Sequence, residues 1–320
     1  MIRLNLSNCK GFTSHRSGWS YCINSLLPLH SRSGVFVDDF IERSFSWHLH
    51  YYYKKNEYQL PYNKEWIGFI HNPPNIPDWF DFNHSPQAIL NRKIFQESLK
   101  HCRALVTLSE YLRQWLAPQV CVPVISVKHP TEKPYTFWTP ESFFTQNKIP
   151  VVQLGYWLRK MNSIYELNTG KRYKKIWLRS DSEYAPYMKS IEHKTQSIHS
   201  EGNYKNSSVE LPEHLTNRDY DNLMCRCVVF LDLYDSSANN AIVESIARNT
   251  PILVNKIPAV VEYLGEDYPF YFNTTEEASQ KLIDNNLILE THSYLKNMNK
   301  EWLSGKYFSM ILADKLTGLL

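Results

Sequence analysis

The sequence has little of several features that mark common classes of protein. Its 320 residues include only 10 glycines, which leaves few places for a glycine-rich phosphate loop. The 35 Lys and Arg against 32 Asp and Glu leave a formal charge of only +3, which excludes the strongly basic profile of a dedicated nucleic-acid binder. No window approaches the roughly 18 uninterrupted apolar residues that a membrane-spanning helix needs. We therefore expect neither nucleic acid nor a membrane-spanning segment.

The N-terminus and the cysteines predict a cytoplasmic protein. The first residues lack a charged region followed by a long apolar stretch, which is the pattern of a secretory signal peptide. The six cysteines are scattered along the chain, and a chain of this size builds its own core without disulfides. We therefore interpret them as reduced thiols in a cytosolic setting.

Apolar runs of strand length alternate with segments of helical periodicity. Clear runs lie at Trp66–Ile70 and at residues 104–108, 151–155 and 228–233. This alternation predicts an α/β protein with parallel sheets built from right-handed crossovers.

The strand pattern stops and restarts, which predicts two such sheets. Residues 131–148 are rich in Pro, Thr and Phe without a clear period, as in an interdomain linker. We expect a first domain at residues 1–146 and a second at 147–304. A terminal helix at 305–320 has one apolar face, and we expect it to cross back to the first domain.

Polar residues that follow predicted strands are the candidate site residues, because ligands of open α/β sheets bind beyond the carboxyl ends of the strands. The strand at 228–233 leads into a polar loop and a helix, whose free N–H groups and positive dipole end form a ready anion site. Its candidate ligands are Ser237, Asn239 and Asn240. Glu244, about one turn into the helix, is predicted to accept hydrogen bonds from a ribose diol. A capped helix with a surface glutamate is the alternative.

Residues 240–264, NAIVESIARNTPILVNKIPAVVEYL, resemble the donor-site segment of GT-B glycosyltransferases. Glu244, Thr250, Pro251 and Glu262 match that segment by residue type and approximate spacing. The resemblance extends in order over most of residues 104–264. It implies two facing Rossmann-like domains with parallel sheets and a central cleft, the second domain binding a nucleotide sugar.

Two positions depart from the pattern of that family. Its retaining members with an E-x7-E motif carry a first glutamate where this chain has Ser236, although Asp235 is adjacent. The second domain of the family opens with Gly-Arg and a lysine, whereas Tyr156 follows Gly155 here. The cations come later, as Arg159 and Lys160, which we interpret as neutralising the donor diphosphate. A solvated turn is the alternative for them.

In the first domain, His71 directly follows the strand Trp66–Ile70. The resemblance implies that this strand end faces the sugar and the acceptor, so His71 is predicted to bind the sugar or to assist proton transfer. A structural hydrogen-bonding role is the alternative. Asp78 and Asp81 are the candidates for a general base if the reaction inverts configuration. Gly18 is a candidate for approaching the diphosphate, or else an ordinary turn glycine.

Two further patterns are discounted or left open. Asp219-Tyr220-Asp221 spells the D-x-D metal motif of another glycosyltransferase architecture, but it stands at a predicted helix start, where acidic residues stabilise the helix dipole. We therefore expect no metal and no cofactor. A basic run is predicted to be a solvated turn or a contact for an anionic membrane surface. Its members are Lys171, Arg172, Lys174 and Lys175.

These patterns together predict a metal-independent glycosyltransferase. It would move a sugar from a nucleotide-diphosphate sugar to a glycan, lipid or protein acceptor, with retention of configuration slightly favoured by the donor segment. Two alternatives stay open, namely a catalytically silent sugar- or nucleotide-binding protein on the same fold and a nucleotide-sugar epimerase.

Overall fold

The structure is a computed structural model that describes residues 2–9, 18–49, 59–179, 189–191, 193–194, 208–212 and 215–320. By its internal contacts the chain divides into two compact units. Unit 1 comprises Met1–Glu132, Asp235–Val243 and Lys300–Leu320, and unit 2 comprises Lys133–Tyr234 and Glu244–Asn299. The domain boundaries predicted at residues 146 and 304 stay predictions.

Unit 1 contains a five-stranded parallel sheet in the order β1-β2-β3-β4-β5. The strands are β1 (Leu4–Asn5), β2 (Val35–Asp38), β3 (Trp66–Ile70), β4 (Cys102–Thr107) and β5 (Val124–Ser126). The strand predicted at Trp66–Ile70 is confirmed, and β2 was not anticipated.

The α-helices in the Met1–Glu132 part of unit 1 are short. They are α1 (Trp19–Ser25), α2 (Asp78–Asp81), α3 (Pro86–Leu90), α4 (Lys93–Leu99) and α5 (Glu110–Leu116), with a π-helical turn at Arg43–Trp47. The apolar spacing of residues 88–99 alone predicts one continuous helix, whereas the structure divides this stretch between α3 and α4. The first helix is capped by Ser85, whose Oγ accepts the N–H of Ala88 at 3.1 Å, and Arg92 is extended between the two helices.

Apolar side chains cover both faces of the unit 1 sheet because neighbouring residues of a strand point to opposite faces. Ile67 and Phe69 lie in one cluster, and Trp66 and Ile70 lie in the other. The last helix of the described chain, Gly305–Leu316, contributes to the first cluster with three fully buried side chains, Phe308, Leu312 and Leu316. Burying each of them stabilises unit 1 by about 1.5–3 kcal/mol.

Unit 2 contains a six-stranded parallel sheet in the order β11-β10-β9-β6-β7-β8. The strands are β6 (Ile149–Leu154), β7 (Tyr173–Leu178), β8 (Val209–Glu210), β9 (Val228–Leu231), β10 (Ile252–Asn255) and β11 (Tyr271–Phe272). Renumbered from β6, this is the doubly wound 3-2-1-4-5-6 order. The chain changes direction between β6 and β9, and ligands of such sheets bind outside the carboxyl ends at that switch point.

The helices of unit 2 alternate with these strands along the chain. They are α6 (Pro140–Phe144), α7 (Ser163–Glu166), α8 (Asn217–Met224), α9 (Asn240–Arg248, whose first residues group with unit 1), α10 (Pro258–Leu264), α11 (Thr275–Leu282) and α12 (Asn285–Asn297). The helix Gly305–Leu316 is α13. Thr274 caps α11 by accepting the Glu277 N–H at 3.2 Å, and Glu277 accepts the N–H of Asn273 at 2.8 Å.

Among the residues described above, no helix is long and apolar enough to cross a membrane.

Candidate functional site

The turn after β6 stands at the switch point of the unit 2 sheet. Gly155 has a φ of 73°, in the left-handed region that favours glycine. Its N–H donates to the carbonyl of Leu178 at 2.8 Å, and its carbonyl accepts the indole N–H of Trp177 at 2.9 Å. The turn predicted as part of the donor site is therefore fixed to the end of β7.

Arg159 folds back onto this turn. Its Nε donates to the carbonyl of Leu154 at 3.0 Å and its Nη1 donates to the carbonyl of Trp157. Burial lowers the pKa of its guanidinium to about 10, so the side chain is positively charged at pH 7. A Cβ on Gly155 would lie 3.6 Å from the guanidinium carbon, which places this charge beside the turn. Arg159, which was predicted to neutralise the donor diphosphate, thus also stabilises the turn after β6 through hydrogen bonds to its backbone.

Lys160 joins the ends of the two strands at the switch point. Its Nζ lies 2.9 Å from Oδ1 of Asp232, the residue after β9, and its N–H donates to the Asp232 carbonyl at 2.8 Å. Ser163 donates its hydroxyl to the other carboxylate oxygen at 2.8 Å. The Lys160 side chain is 39% exposed and that of Asp232 only 7%. An anion that binds here would therefore compete with a buried carboxylate for this ammonium.

The polar loop after β9 groups with unit 1. The carboxylate of Asp235 accepts the N–H of Asn75 at 2.8 Å and the hydroxyl of Tyr111 at 3.1 Å, and burial raises its pKa. The Ser237 hydroxyl lies 2.9 Å from that of Ser109. These bonds fix the loop against the start of α5.

Asn239 and Asn240 open the helix that was expected to offer an anion site. The side-chain oxygen of Asn239 accepts the N–H of Ala241 at 3.0 Å, and Asn240 is the first helical residue. Asn239 therefore acts as a helix cap.

Glu244 is buried, at 3% exposed, so the alternative of a surface glutamate is wrong. Its Oε2 accepts the hydroxyl of Tyr220 at 2.7 Å and lies 3.7 Å from Nη1 of Arg248. Arg248 in turn pairs with Asp221 at 2.8 Å. Burial raises the pKa of Tyr220, and the negative charge of Glu244 adds to this shift. The carboxylate is thus held in a buried polar network, which fixes its orientation.

The two acids of Asp219-Tyr220-Asp221 have separate structural roles. Thr216 donates its hydroxyl to Asp219 at 2.6 Å and accepts the Asp219 N–H at 3.1 Å, which caps α8. Asp221 faces Arg248. Within the described ranges, no three or more His, Cys, Asp or Glu side chains form a group that could hold a metal ion.

In unit 1, the ring of His71 is fixed on several sides. Its Nε2 lies 3.0 Å from the carbonyl oxygen of Asp39. The ring stacks on Phe40, with centroids 3.8 Å apart and planes 8° apart. It also makes an edge-to-face contact with Trp19, with ring centroids 4.4 Å apart. Burial lowers the pKa of His71 to about 3, so the imidazole is neutral at pH 7. With Nε2 donating its hydrogen to the carbonyl, Nδ1 carries the lone pair and can accept a hydrogen bond.

Two buried acids, Asp38 and Asp39, end β2 and follow it, and the backbone carbonyl of Asp39 contacts this histidine. Neither acid was predicted as a site residue. Asp38 accepts the hydroxyls of Tyr62 at 2.9 Å and Ser44 at 3.0 Å, and burial raises its pKa to about 6. Asp39 accepts the indole N–H of Trp19 at 3.1 Å and pairs with Arg43. The signal in the sequence that could have indicated them is the apolar run Val35–Val37, which is followed directly by Asp38 and Asp39.

The remaining unit 1 candidates have local roles. Asp81 pairs with Nδ1 of His84 at 2.6 Å, whereas Asp78 is exposed at the start of α2. Gly18 is the buried N-cap residue of α1 with a φ of −97°, so its backbone does not require glycine.

The basic run was predicted to be a solvated turn or a membrane contact, and this prediction is wrong for Lys175 because that side chain is buried. This side chain is buried, donates to the carbonyls of Tyr165 at 2.8 Å and Leu167 at 3.0 Å, and has its pKa lowered by burial. The pleat of β7 turns it inward, whereas Lys174 pairs with Glu210 at 3.0 Å. Lys171 and Arg172 are exposed, with Arg172 donating to Asn285 at 3.0 Å.

Comparison with known proteins bears on the fold. No protein-family model and no curated protein matches the sequence. A sucrose-phosphate synthase from Thermosynechococcus elongatus is similar in structure, with a TM-score of 0.62 and 9% identity over 89% of this chain and 74% of its own. Anabaena HepE in complex with UDP-glucose gives a TM-score of 0.57 and 12% identity, over 79% and 72% of the two chains.

A UDP-forming α,α-trehalose-phosphate synthase from Burkholderia vietnamiensis gives a TM-score of 0.53 and 9% identity, over 81% of this chain and 67% of its own. These likenesses define the class of fold. The chain has the GT-B-like architecture of two Rossmann-like units with parallel sheets, which confirms the predicted fold class.

Proposed function

We propose that this protein is a glycosyltransferase that takes a sugar from a nucleotide-diphosphate donor. The observation that carries the proposal is the buried carboxylate of Glu244, on the helix that follows β9 in a doubly wound sheet. The fold is shared with nucleotide-sugar-dependent enzymes, and one similar structure contains UDP-glucose. The buried network around Glu244 orients a hydrogen-bond acceptor for the ribose of such a donor.

The turn after β6 supplies the positive charge for the donor diphosphate. Arg159 and Lys160 neutralise the leaving group, and the backbone of Gly155 allows its close approach. To bind phosphate, the exposed ammonium of Lys160 turns away from Asp232. Because charge develops on the departing diphosphate, the two cations stabilise the transition state, and we propose that the reaction needs no metal. Ser237, Asn239 and Asn240 complete the proposed donor site.

His71 acts on the sugar or on a transferred proton in this proposal. Its neutral imidazole presents Nδ1 as an acceptor, which suits a hydrogen bond from a sugar hydroxyl, whereas proton transfer would require that donor binding raise its pKa towards the working pH. We favour retention of configuration. In an inverting reaction, exposed Asp78 is a better candidate base than Asp81, which is already paired with His84.

A thermal-shift panel of UDP-, GDP-, ADP- and CMP-sugars tests the proposal, followed by a hydrolysis and transfer assay with the best donor. One nucleotide should raise the melting temperature, and its sugar should be released or transferred. No shift with any of the four classes would contradict the proposal.

A catalytically silent binding protein is the second candidate, and Ser236 favours it. A serine stands where the E-x7-E pattern has its first glutamate, and the adjacent Asp235 is bonded to Asn75 and Tyr111. Donor binding without turnover over a broad set of glycan, lipid and protein acceptors would support this function.

A further inference from the structure

Glu42 bonds the loop that carries His71. Its side chain is fully buried, at 0% exposed. One carboxylate oxygen, Oε1, accepts the N–H of His71 at 2.8 Å and the N–H of Asn72 at 2.7 Å. These are the first two residues after β3. A single oxygen thus satisfies two backbone donors at the point where the loop leaves the sheet.

The burial of this carboxylate is costly. A carboxylate that leaves water loses more solvation free energy than a neutral group does, unless hydrogen bonds compensate for it. Burial accordingly raises the pKa of Glu42 to about 7. Its Oε2 is buried without a hydrogen-bond partner among the described residues. Over the part of the chain that the structure describes, the two hydrogen bonds that its side chain accepts from other residues both come from the backbone N–H groups of His71 and Asn72.

The four-residue segment at 39–42 contacts both the backbone and the ring of His71. The Asp39 carbonyl accepts from Nε2, and the Phe40 ring stacks on the imidazole. Glu42 holds the N–H of the same residue. The segment runs directly into the π-helical turn Arg43–Trp47, a local geometry that occurs frequently at functional sites.

We propose that Glu42 is a positioning residue that acts through His71. By fixing the backbone of His71 and Asn72, it holds the imidazole against the Asp39 carbonyl and the Phe40 ring, so that Nδ1 keeps one orientation. This inference rests on the role of His71 in the proposed function. Small displacements of a reacting group are expensive, since a shift of about 1 Å can cost about a hundredfold in rate.

A double-mutant cycle tests the proposal. Glu42→Ala removes the acceptor, and we expect kcat for transfer to fall about ten- to a hundredfold with the donor KM within about twofold. Glu42→Gln keeps an oxygen that can accept both N–H groups, so we expect it to retain kcat within about threefold. In a His71→Ala background, Glu42→Ala should cause no further loss of kcat. An equal loss in both backgrounds would overturn the proposal.

A matched control and a second variant separate positioning from folding. Glu277→Ala removes another carboxylate that accepts a backbone N–H, that of Asn273 at 2.8 Å in unit 2, and Glu277 has no role in the proposed site, so this variant should leave kcat unchanged. If Glu42→Ala does not fold, Glu42→Asp, which withdraws the carboxylate by one methylene, replaces it in the cycle with the same expectation.

Imidazole nitrogen NMR gives a readout without turnover. Signals of His71, assigned by their loss in His71→Ala, should show one fixed tautomer in the wild type and in Glu42→Gln. In Glu42→Ala they should move towards the averaged values of a free imidazole, and unchanged signals would overturn the proposal. A wild-type rate in His71→Ala would instead contradict the proposed role of His71, while the NMR result would still decide whether Glu42 positions the ring.

Discussion

Replacing Glu244 by glutamine tests the donor site most directly. The substitution keeps the shape of the side chain and removes the charge that lies 3.7 Å from Nη1 of Arg248 and accepts the Tyr220 hydroxyl at 2.7 Å. A charge-assisted hydrogen bond to a ribose hydroxyl contributes about 1.5–3 kcal/mol. Because substrate and transition state present the ribose equally, its loss weakens binding more than it slows chemistry. We expect the donor KM to rise about ten- to a hundredfold, with kcat within a few fold.

The same substitution also perturbs the buried network, and its control is Asp221→Asn. Arg248 is only 2% exposed, and the nearer of its two carboxylate partners, Asp221, lies at 2.8 Å. Either substitution therefore removes one of the two negative charges that face the same guanidinium. Each should lower the free energy of unfolding by about 1–3 kcal/mol. Only Glu244→Gln should raise the donor KM, because Asp221 has no place in the proposed donor site.

Isothermal titration with the free nucleoside diphosphate measures the affinity without turnover, and chemical denaturation measures the stability of both variants. Wild-type nucleotide affinity in Glu244→Gln would refute the donor-site assignment. Equal weakening in both variants would show that disruption of the network, and not a ribose contact, causes the loss.

Further predictions concern stability, charge and metal. Phe308→Ala should lower the melting temperature by about 6–20 °C, because a buried Phe→Ala change costs about 3–5 kcal/mol; Met310→Ala, on the same helix but 54% exposed, should leave it within about 2 °C, and equal shifts would contradict the packing of α13. Lys160→Ala should lower kcat as well as donor affinity in steady-state assays, since charge builds on the leaving diphosphate; an unchanged kcat would exclude its proposed role. Transfer activity should survive EDTA, and loss of turnover restored by manganese would show a metal requirement. The raised pKa of Glu42, about 7 against 4.5 in the unfolded chain, means that the native state holds the proton more tightly. Unfolding free energies measured from pH 4.5 to 8 should therefore show the wild type losing stability relative to Glu42→Gln by up to about 1.4 kcal/mol per pH unit as the pH rises to about 7, with no further change above; a constant difference would contradict the raised pKa.

The elements that the sequence revealed are those with long apolar runs. The strand Trp66–Ile70 and the buried strand near 228–233 bury every residue, so their hydrophobicity alone distinguishes them. The helix that carries Glu244 has a polar loop before it and a regular apolar face. These local signals were sufficient to predict the two parallel sheets, while the donor site that they place beyond the strand ends stays a prediction.

The features that were missed depend on pairing between distant residues. The strand Val35–Asp38 has only four residues, too few for its period to be read, so the acids that follow it were not placed at a strand end. Lys175 lies in a strand with charged neighbours, and only its pairing with β6 and β8 shows that it points inward. Glu244 was placed in the right helix, but one of its two buried contacts, the hydroxyl of Tyr220 on α8, comes from 24 residues away in the chain, beyond the reach of a local pattern.

The place of α13 in the same apolar cluster as β1 has a consequence for the order in which the chain folds during synthesis. Leu4 and Phe308 belong to one apolar cluster, and almost the whole sequence separates them. Unit 2 is drawn from Lys133–Tyr234 and Glu244–Asn299, so all of its residues have left the ribosome before Phe308 does. Domains generally fold in order from the N-terminus as the chain emerges. Here one apolar face of the N-terminal strands stays partly exposed until α13 has been synthesised. Unit 2 can therefore complete its core before unit 1 does.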